Sequence, residues 1–358
     1  MIKKALYRVF YLTLYTAIII SCAKDFSKSS GSDDLVIYPP PPDTTRVQYL
    51  TSISTSADIK GKQSAFNRFL VGEEVPKPII KPYGVTAYES KIYICDTGLG
   101  GLVIMDLARK SFEYFIPSGK GQLQLPLNCS VDENGSLFVA DGNRRQVVVF
   151  NNEGKYVTEF GETGENFKPT DVFVLDGKIY VASVKDQKVY VYDKNTYGQL
   201  FNFPAMEPGD DGFLYQPTNL VVSQNQIYVS DLGDNKIKTY SLDGKFLRFA
   251  GGYGNNVGQL MRPKGVAVDN KSNLFVVDAA FENVQIFNGK GNILMYFGGP
   301  YTGHGGMWLP ADVTVSYTGL EIFSKYVDDS FNLKYLIFVT NQYGPDKVSV
   351  YGFVEPKK

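Results

Sequence analysis

Four polar side chains stand at equivalent places in a repeating pattern and carry oxygen atoms with which this chain could bind a metal ion. Each lies two residues after a recurring proline: Asn128, Asp171, Asn219 and Asp312. Carboxylate and amide oxygens are ligands that Ca²⁺ prefers. Two further repeats have Gly84 and Gly265 at this position, which counts against a catalytic ring. Short Asn, Asp and Gly residues also suit the turn into a strand, and we favour this structural interpretation over the metal site.

A second periodic set of carboxylates stands at the end of the second strand in four of the six repeats: Asp96, Asp141, Asp231 and Asp278. An aspartate at such a place accepts backbone N–H bonds from the turn that follows. Because the residue recurs along the chain, we expect a structural role in each turn. Ser183 and Asn341 stand in its place in the two remaining repeats, where we expect the turn geometry to differ.

Sulfur and imidazole chemistry has few candidates, namely Cys22, Cys95, Cys129 and a single histidine, His304. No Cys-x-x-Cys motif occurs, which argues against a zinc ribbon, a thioredoxin-like redox site and attached c-type haem. We expect Cys95 and Cys129 to be buried as small apolar side chains, with a disulfide as the alternative. His304 lies among glycines and is expected on a surface loop, with a ligand role as the alternative.

The elements that must position these residues are short strands in a repeat. Residues 125–160 contain four β-branched or aromatic runs separated by turn signals, which is typical of a four-stranded antiparallel meander. Anchoring prolines recur at intervals of 44, 43, 48, 46 and 47 residues: Pro82, Pro126, Pro169, Pro217, Pro263 and Pro310. This period predicts an all-β fold, a six-bladed β-propeller, whose inner strands bring the four polar side chains to one channel mouth.

The ring of blades needs a closing strand, because the repeat that begins at Pro310 supplies only three strands. We predict that an early strand, Arg46–Ser54, becomes the outer strand of that last blade. Short helices are predicted at Ser64–Leu70 and Leu320–Tyr326, each capping an end of the core.

The N-terminal region predicts export and lipid attachment. Residues 1–21 have the layout of a signal peptide, with basic residues before an apolar run that is short for a bilayer span. Ile19-Ile20-Ser21-Cys22 resembles the bacterial lipobox, which implies that Cys22 carries acyl chains such as palmitate; an ordinary signal peptide is the alternative. Residues 22–45 are predicted to be a tether with Pro39–Pro42 in extended polyproline II, and residues 46–358 the propeller.

The repeats resemble those of a known family. A proline followed two residues later by Gly, Asp or Asn, and the stretch Val139–Phe150, are similar to NHL repeats. The chain resembles six-bladed NHL-type, TolB-like propeller lipoproteins of bacteria. This resemblance implies the fold but leaves the function open, because related propellers include binding scaffolds, calcium-dependent lactonases and a zinc lyase. The lyase chemistry needs several histidine ligands, and His304 stands alone.

Charge and loop composition narrow the kind of partner. Lys+Arg 36 balance Asp+Glu 37, which disfavours nucleic acid. Loops on the channel-mouth face combine charges with aromatic residues, as protein or glycan contact surfaces do, with ordinary solvated loops as the alternative. The candidate partner surface consists of Arg144, Arg145, Phe281, Glu282 and Tyr343.

The sequence therefore predicts a monomeric, lipid-anchored, non-catalytic binding scaffold of the bacterial cell envelope, facing the periplasm or the cell surface. One alternative is a calcium-dependent lactonase-like or esterase-like hydrolase with the metal in the central channel. Another is an accessory subunit of a polysaccharide-handling or multihaem electron-transfer complex, with any haem on the partner. No cofactor is expected for the scaffold, and Ca²⁺ is the candidate for the hydrolase.

Overall fold

Six antiparallel sheets stand around a central channel in the computed structural model, which describes residues 35–61, 63, 69, 74–162 and 164–357. The innermost strands of neighbouring sheets contact one another in a closed ring. The predicted six-bladed β-propeller is therefore confirmed. The predicted signal peptide, Cys22 and the first part of the tether lie outside the described residues.

The strands follow the predicted repeats, and each inner strand begins at its anchoring proline. Two strands and a helix precede the first repeat: β1 (Ile37–Tyr38), β2 (Val47–Ile53) and α1 (Ser56–Lys60). Blade 1 contains β3 (Pro82–Tyr88), β4 (Lys91–Asp96), β5 (Gly101–Asp106) and β6 (Ser111–Phe115). Blade 2 contains β7 (Pro126–Val131), β8 (Leu137–Asp141), β9 (Gln146–Phe150) and β10 (Tyr156–Phe160). Blade 3 contains β11 (Pro169–Leu175), β12 (Lys178–Ser183), β13 (Lys188–Asp193) and β14 (Gln199–Phe203).

The remaining blades continue this order from the channel outward. Blade 4 contains β15 (Pro217–Ser223), β16 (Gln226–Asp231), β17 (Lys236–Ser241) and β18 (Phe246–Gly251). Blade 5 contains β19 (Pro263–Val268), β20 (Leu274–Asp278), β21 (Asn283–Phe287) and β22 (Ile293–Gly298). Blade 6 contains β23 (Pro310–Ser316), β24 (Phe331–Asn341) and β25 (Val348–Pro356), with α2 (Leu320–Phe323) between its first two strands.

Burial along the strands reflects their place in the blade. The second strands are almost wholly buried, as in β4 and β8, because both faces of each sheet pack against neighbouring blades. The outer strands β18 and β22 alternate between half-buried and exposed residues along most of their length. A proline can begin each inner strand because the first residue need not donate to the ladder.

Blade 6 is built from both ends of the described chain. Its strand order is β23–β24–β25–β2–β1, so β2 lies outside β25. Val47 pairs with Phe353, and Ile53 pairs with Val348. The predicted closure of the ring by the early strand is thus confirmed.

The end of the predicted tether differs from expectation. Ile37 and Tyr38 pair with Gln48 and Val47 as a fifth strand on blade 6, so ordered pairing begins before residue 46. Pro39–Pro42 lie in the turn between β1 and β2 rather than in an extended spacer. The apolar side chains that precede the prolines explain the difference, because Val36 and Tyr38 pack on the core of blades 5 and 6.

The helix predicted at Leu320–Tyr326 is confirmed as α2 followed by a 3₁₀ turn, Ser324–Tyr326. Phe323 is buried and packs on Phe338, with ring centroids 5.9 Å apart. The helix predicted at Ser64–Leu70 falls almost entirely outside the described residues. No helix in the described part of the chain is long and apolar enough to cross a bilayer.

Candidate functional site at the channel mouth

A β-bulge near the start of the inner strand orients each predicted ring residue. In blades 2, 3, 4 and 6 the register with the second strand shifts between the anchoring proline and the ring residue. Bulges of this kind turn a side chain away from its regular strand direction. Asn128, Asp171 and Asp312 consequently line one channel cavity of about 290 Å³. The structure therefore brings three of the four predicted residues together around one space.

Asp312 connects three blades through its carboxylate. Its Oδ2 accepts the backbone N–H of Val85 at 2.9 Å and the side-chain amide of Asn128 at 3.1 Å. Val85 belongs to blade 1 and Asn128 to blade 2, whereas Asp312 lies at the start of blade 6. These hydrogen bonds cross the seam at which the ring closes.

Asp171 makes a similar connection between blades 3 and 4. Its Oδ1 accepts the N–H of Val172 at 2.7 Å, and its Oδ2 accepts the N–H of Leu220 at 2.8 Å. The structural interpretation of the ring residues, a role in the turn into their own strand, is incomplete for both carboxylates. Each also holds the inner strand of the next blade.

Burial changes the proton affinity of both carboxyl groups. Desolvation raises the pKa of Asp312 to about 7, while hydrogen bonds from Val85, Val313 and Asn128 oppose the rise. Burial also raises the pKa of Asp171 well above its ordinary value, and the nearby charge of Asp312 raises it further. Both carboxyls thus hold their protons more tightly than exposed aspartates do.

The two glycines of the ring make room for their neighbours. A Cβ at Gly84 would lie 2.3 Å from Oδ1 of Asn128, and a Cβ at Gly265 would lie 2.1 Å from Oδ1 of Asp312. Neither glycine has a backbone conformation that requires glycine. Their lack of a side chain is needed because the polar side chain of the next blade fills the space.

Asn219 differs from the other ring residues. Its side chain is only 1% exposed, and neither its amide oxygen nor its amide nitrogen has a hydrogen-bond partner in the described structure. Leaving buried polar atoms unpaired costs about 1–3 kcal/mol each. This amide therefore marks the place in the ring where a water molecule or a ligand group would be stabilising.

Some of the ring oxygens that could ligate a calcium ion are already used by N–H groups. Ca²⁺ takes six to eight oxygen ligands, whereas both oxygens of Asp171 and Oδ2 of Asp312 already accept N–H groups. In the described residues no group of three or more His, Cys, Asp or Glu side chains is arranged to hold a metal ion.

The hairpin aspartates have the predicted structural role and a wider one. Oδ1 of Asp141 accepts the N–H groups of Asn143 and Arg144 in the following turn, at 3.1 and 3.0 Å. The same carboxylate accepts the N–H groups of Gln124 and Leu125 at 2.6 and 3.0 Å, which fixes the segment that enters blade 2. Asp96, Asp231 and Asp278 bind the entry segments of their own blades in the same way.

The two departures from aspartate keep part of this pattern. Ser183 accepts the N–H of Lys168 at 2.9 Å through its hydroxyl. Oδ1 of Asn341 accepts the N–H of Trp308 at 3.1 Å. The tie to the entry segment is thus retained in blades 3 and 6.

Cys95 and Cys129 are buried, free thiols, as expected for small apolar side chains. Desolvation and the neighbouring thiol of Cys129 raise the pKa of Cys95 well above its ordinary value, so it is a poor nucleophile. His304 lies on an exposed loop, as predicted, and stacks on Tyr49 with ring centroids 5.7 Å apart.

The five residues of the candidate partner surface have different environments. Arg144 donates to the carbonyl of Gln122 and pairs with Glu159, so its guanidinium is used internally. Oε1 of Glu282 accepts the N–H of Leu309 at 2.9 Å. Phe281 is half-buried, whereas Arg145 and Tyr343 are exposed.

Sequence reasoning missed a buried lysine. The side chain of Lys238 is fully buried and its Nζ lies 3.0 Å from Asp231 and 2.8 Å from Asp234. It also lies over the ring of Tyr215, 5.2 Å from the centroid. The Lys-Ile-Lys-Thr-Tyr alternation of β17 gave no sign that this lysine points inward between charged partners.

Comparison with known sequences gives one partial likeness. No protein-family model matches the chain. Over 186 residues it is 25% identical to the protein brain tumor of Drosophila melanogaster. The matched region covers 50% of this chain and 13% of that protein. The chain thus spans a small part of the length of that relative. The likeness supports NHL-like repeats in this chain.

Solved structures share the fold. A protein of unknown function from Bacteroides thetaiotaomicron superposes with a TM-score of 0.58 at 14% identity, over 87% of this chain and 76% of the other. A gluconolactonase from Xanthomonas campestris superposes with a TM-score of 0.56 at 13% identity, over 91% of this chain and 95% of the gluconolactonase. The virginiamycin B lyase of Staphylococcus aureus superposes with a TM-score of 0.51 at 13% identity, over 75% of this chain and 80% of the lyase. At these identities the likeness establishes a six-bladed β-propeller and no activity.

Proposed function

We propose that this protein is a lipid-anchored, non-catalytic β-propeller scaffold of the bacterial cell envelope that binds an envelope protein or a glycan as a monomer. The observation that carries the proposal is the use of the ring carboxyls, because Asp171 and Asp312 hold the inner strands of neighbouring blades. An accessory subunit of a polysaccharide-handling or multihaem complex would be one form of such a scaffold.

The anchor in this proposal is Cys22, at the end of the apolar run and lipobox-like stretch. Membrane fractionation tests it, because Cys22→Ala should release the protein or leave an uncleaved precursor, whereas Ser29→Ala should fractionate as wild type. Acyl chains bury many methylene groups at about 0.8 kcal/mol each, so the modified protein should sediment with membranes. Wild-type protein whose N-terminal peptide has no acyl mass would contradict the anchor.

A second candidate is the calcium-dependent lactonase-like or esterase-like hydrolase. The unpartnered amide of Asn219 favours it, since a ligand in the ring would satisfy those atoms. The fold shared with a gluconolactonase is compatible with this candidate but does not select it.

A calcium titration of the melting temperature separates the two functions. An ion that binds only the folded state adds about 2.7 kcal/mol of stability at a hundredfold excess over Kd. We expect no shift with calcium or EDTA at pH 8, where Asp312 is mostly ionised. We also expect no lactone hydrolysis. A shift of several degrees that is lost in Asp171→Asn/Asp312→Asn but kept in Asp243→Asn, together with hydrolysis, would favour the hydrolase.

A further inference from the structure

Two neighbouring loops present large apolar side chains to solvent on hydrogen-bonded backbones. Residues 252–262 connect blades 4 and 5, and residues 299–309 connect blades 5 and 6. Tyr253 is 72% exposed, Val257 61%, and Met261 and Tyr301 about two fifths. Half-buried Phe281 lies in the hairpin turn between the two loops. The apolar loop surface is defined as these five residues: Tyr253, Val257, Met261, Phe281 and Tyr301.

The backbone of the first loop is fixed by hydrogen bonds. Leu260 is buried and its N–H donates to the carbonyl of Gly252 at 2.8 Å. The carboxamide of Gln285 accepts the N–H of Gly258 at 2.8 Å and donates to the carbonyl of Gln259 at 2.7 Å. A fixed backbone loses little conformational entropy when its exposed apolar side chains become buried.

The second loop holds the beginning of the described chain. The hydroxyl of Tyr38 contacts that of Tyr301 and the carbonyl of Gly305. Tyr351 also donates to the Gly305 carbonyl, at 3.0 Å. The chain therefore enters the propeller against the same loop that presents Tyr301.

The charge of the two loops favours an anionic lipid surface as the occupant. Residues 252–262 and 299–309 contain no carboxylate, Glu282 beside Phe281 is half-buried and accepts the N–H of Leu309, and Arg262 is exposed beside Met261. Aromatic and aliphatic side chains next to a cation suit an anionic bilayer interface. Cys22 precedes Val36 by 14 residues, and such a length of chain spans at most about 50 Å, so an anchored Cys22 would hold Val36, which packs beside this surface, within that distance of the membrane.

We propose that the apolar loop surface docks onto the anionic lipid headgroup region of the membrane that carries the protein. This proposal rests on the lipid anchor proposed above, and it adds an orientation, with blades 4 to 6 facing the bilayer. The channel mouth would then lie near the membrane surface, and blades 1 to 3 would remain available to a soluble partner.

The test uses the full-length lipidated protein in vesicles of phosphatidylethanolamine and phosphatidylglycerol containing a headgroup nitroxide lipid. A fluorophore is attached at Val257→Cys or, as control, at Leu200→Cys on β14, where the native residues are 61% and 51% exposed. Cys95 and Cys129 are buried and do not compete for the label. We expect at least twofold stronger quenching at position 257 than at position 200, and the same at Tyr253→Cys.

Equal quenching at positions 200 and 257 would overturn the docking surface. A spectral shift at position 257 that depends on protein concentration and occurs without vesicles would overturn it in favour of a second copy. The acyl mass of the N-terminal peptide is read separately, so loss of the anchor and loss of docking are distinguishable. Melting curves that match wild type establish that the labelled variants are folded.

Discussion

At the scale of single residues, the ring carboxyls act as connectors between blades. Asp312 accepts a bond from Val85, which is 227 residues away in the chain. The repeat period could predict that Asp312 and Asn128 lie at equivalent positions of a ring. It could not predict their partners, because a hydrogen bond between blades depends on the closed ring and not on the local sequence.

The raised pKa of Asp312 makes part of the stability depend on pH. The folded carboxyl keeps its proton up to about pH 7, whereas in the unfolded chain it releases it near pH 3.9. Its contribution is therefore complete below pH 4 and is lost as the pH rises to 7. Relative to Asp312→Asn, we expect wild type to lose on the order of 2–3 kcal/mol of unfolding free energy between pH 5 and 7.

Urea unfolding at pH 5, 6 and 7 measures this difference. Asp243→Asn is the matched control, because Asp243 is an exposed partner of Lys245 and its pKa is lowered to about 2, outside the measured range. Its pH profile should run parallel to that of wild type. If the profile of Asp312→Asn is also parallel, the carboxyl does not hold a proton in the folded state at these pH values.

At the scale of elements, the proline and turn signals determined the inner strands, since all six begin at the predicted residues. The strand β1 was missed because a two-residue strand beside four prolines has no periodicity of its own. The helix α1 was missed because its five residues, Ser56–Lys60, are too few to show an apolar stripe. Both short elements depend on packing against blades that are distant in sequence.

The packing of one inner strand against the next predicts the cost of filling a glycine position. In Gly265→Ala the new Cβ would lie 2.1 Å from Oδ1 and 2.4 Å from Cα of Asp312, so the strands must separate. Overpacking of this kind costs about 1–3 kcal/mol. Gly198→Ala is the control, because the nearest atom to its Cβ is 3.3 Å away in an exposed turn. Chemical denaturation should show a large loss for the first variant and almost none for the second.

At the scale of the whole molecule, blade 6 closes the ring twice, once through its inner strand and once through its outer strand. On the inside, Asp312 binds the inner strand of blade 1. On the outside, β2 from the N-terminal part pairs with β25. The outer closure was predictable, since the last repeat lacked a strand and β2 had no repeat of its own. The inner closure by Asp312 could be identified only from the assembled ring.

Removing the outer closure should weaken the entire propeller. Deletion of residues 46–54 takes away β2, exposes the edge of β25 and removes Leu50 and Ile53, which pack in the core of blades 1 and 6. Deletion of residues 23–34 leaves every described strand intact. We expect the first deletion to lower the melting temperature by more than about 10 °C and to broaden the transition, because burying one Ile or Leu contributes about 1.5–3 kcal/mol. The second should melt as wild type does. Equal melting temperatures for the two deletions would mean that the ring is held without its N-terminal strand.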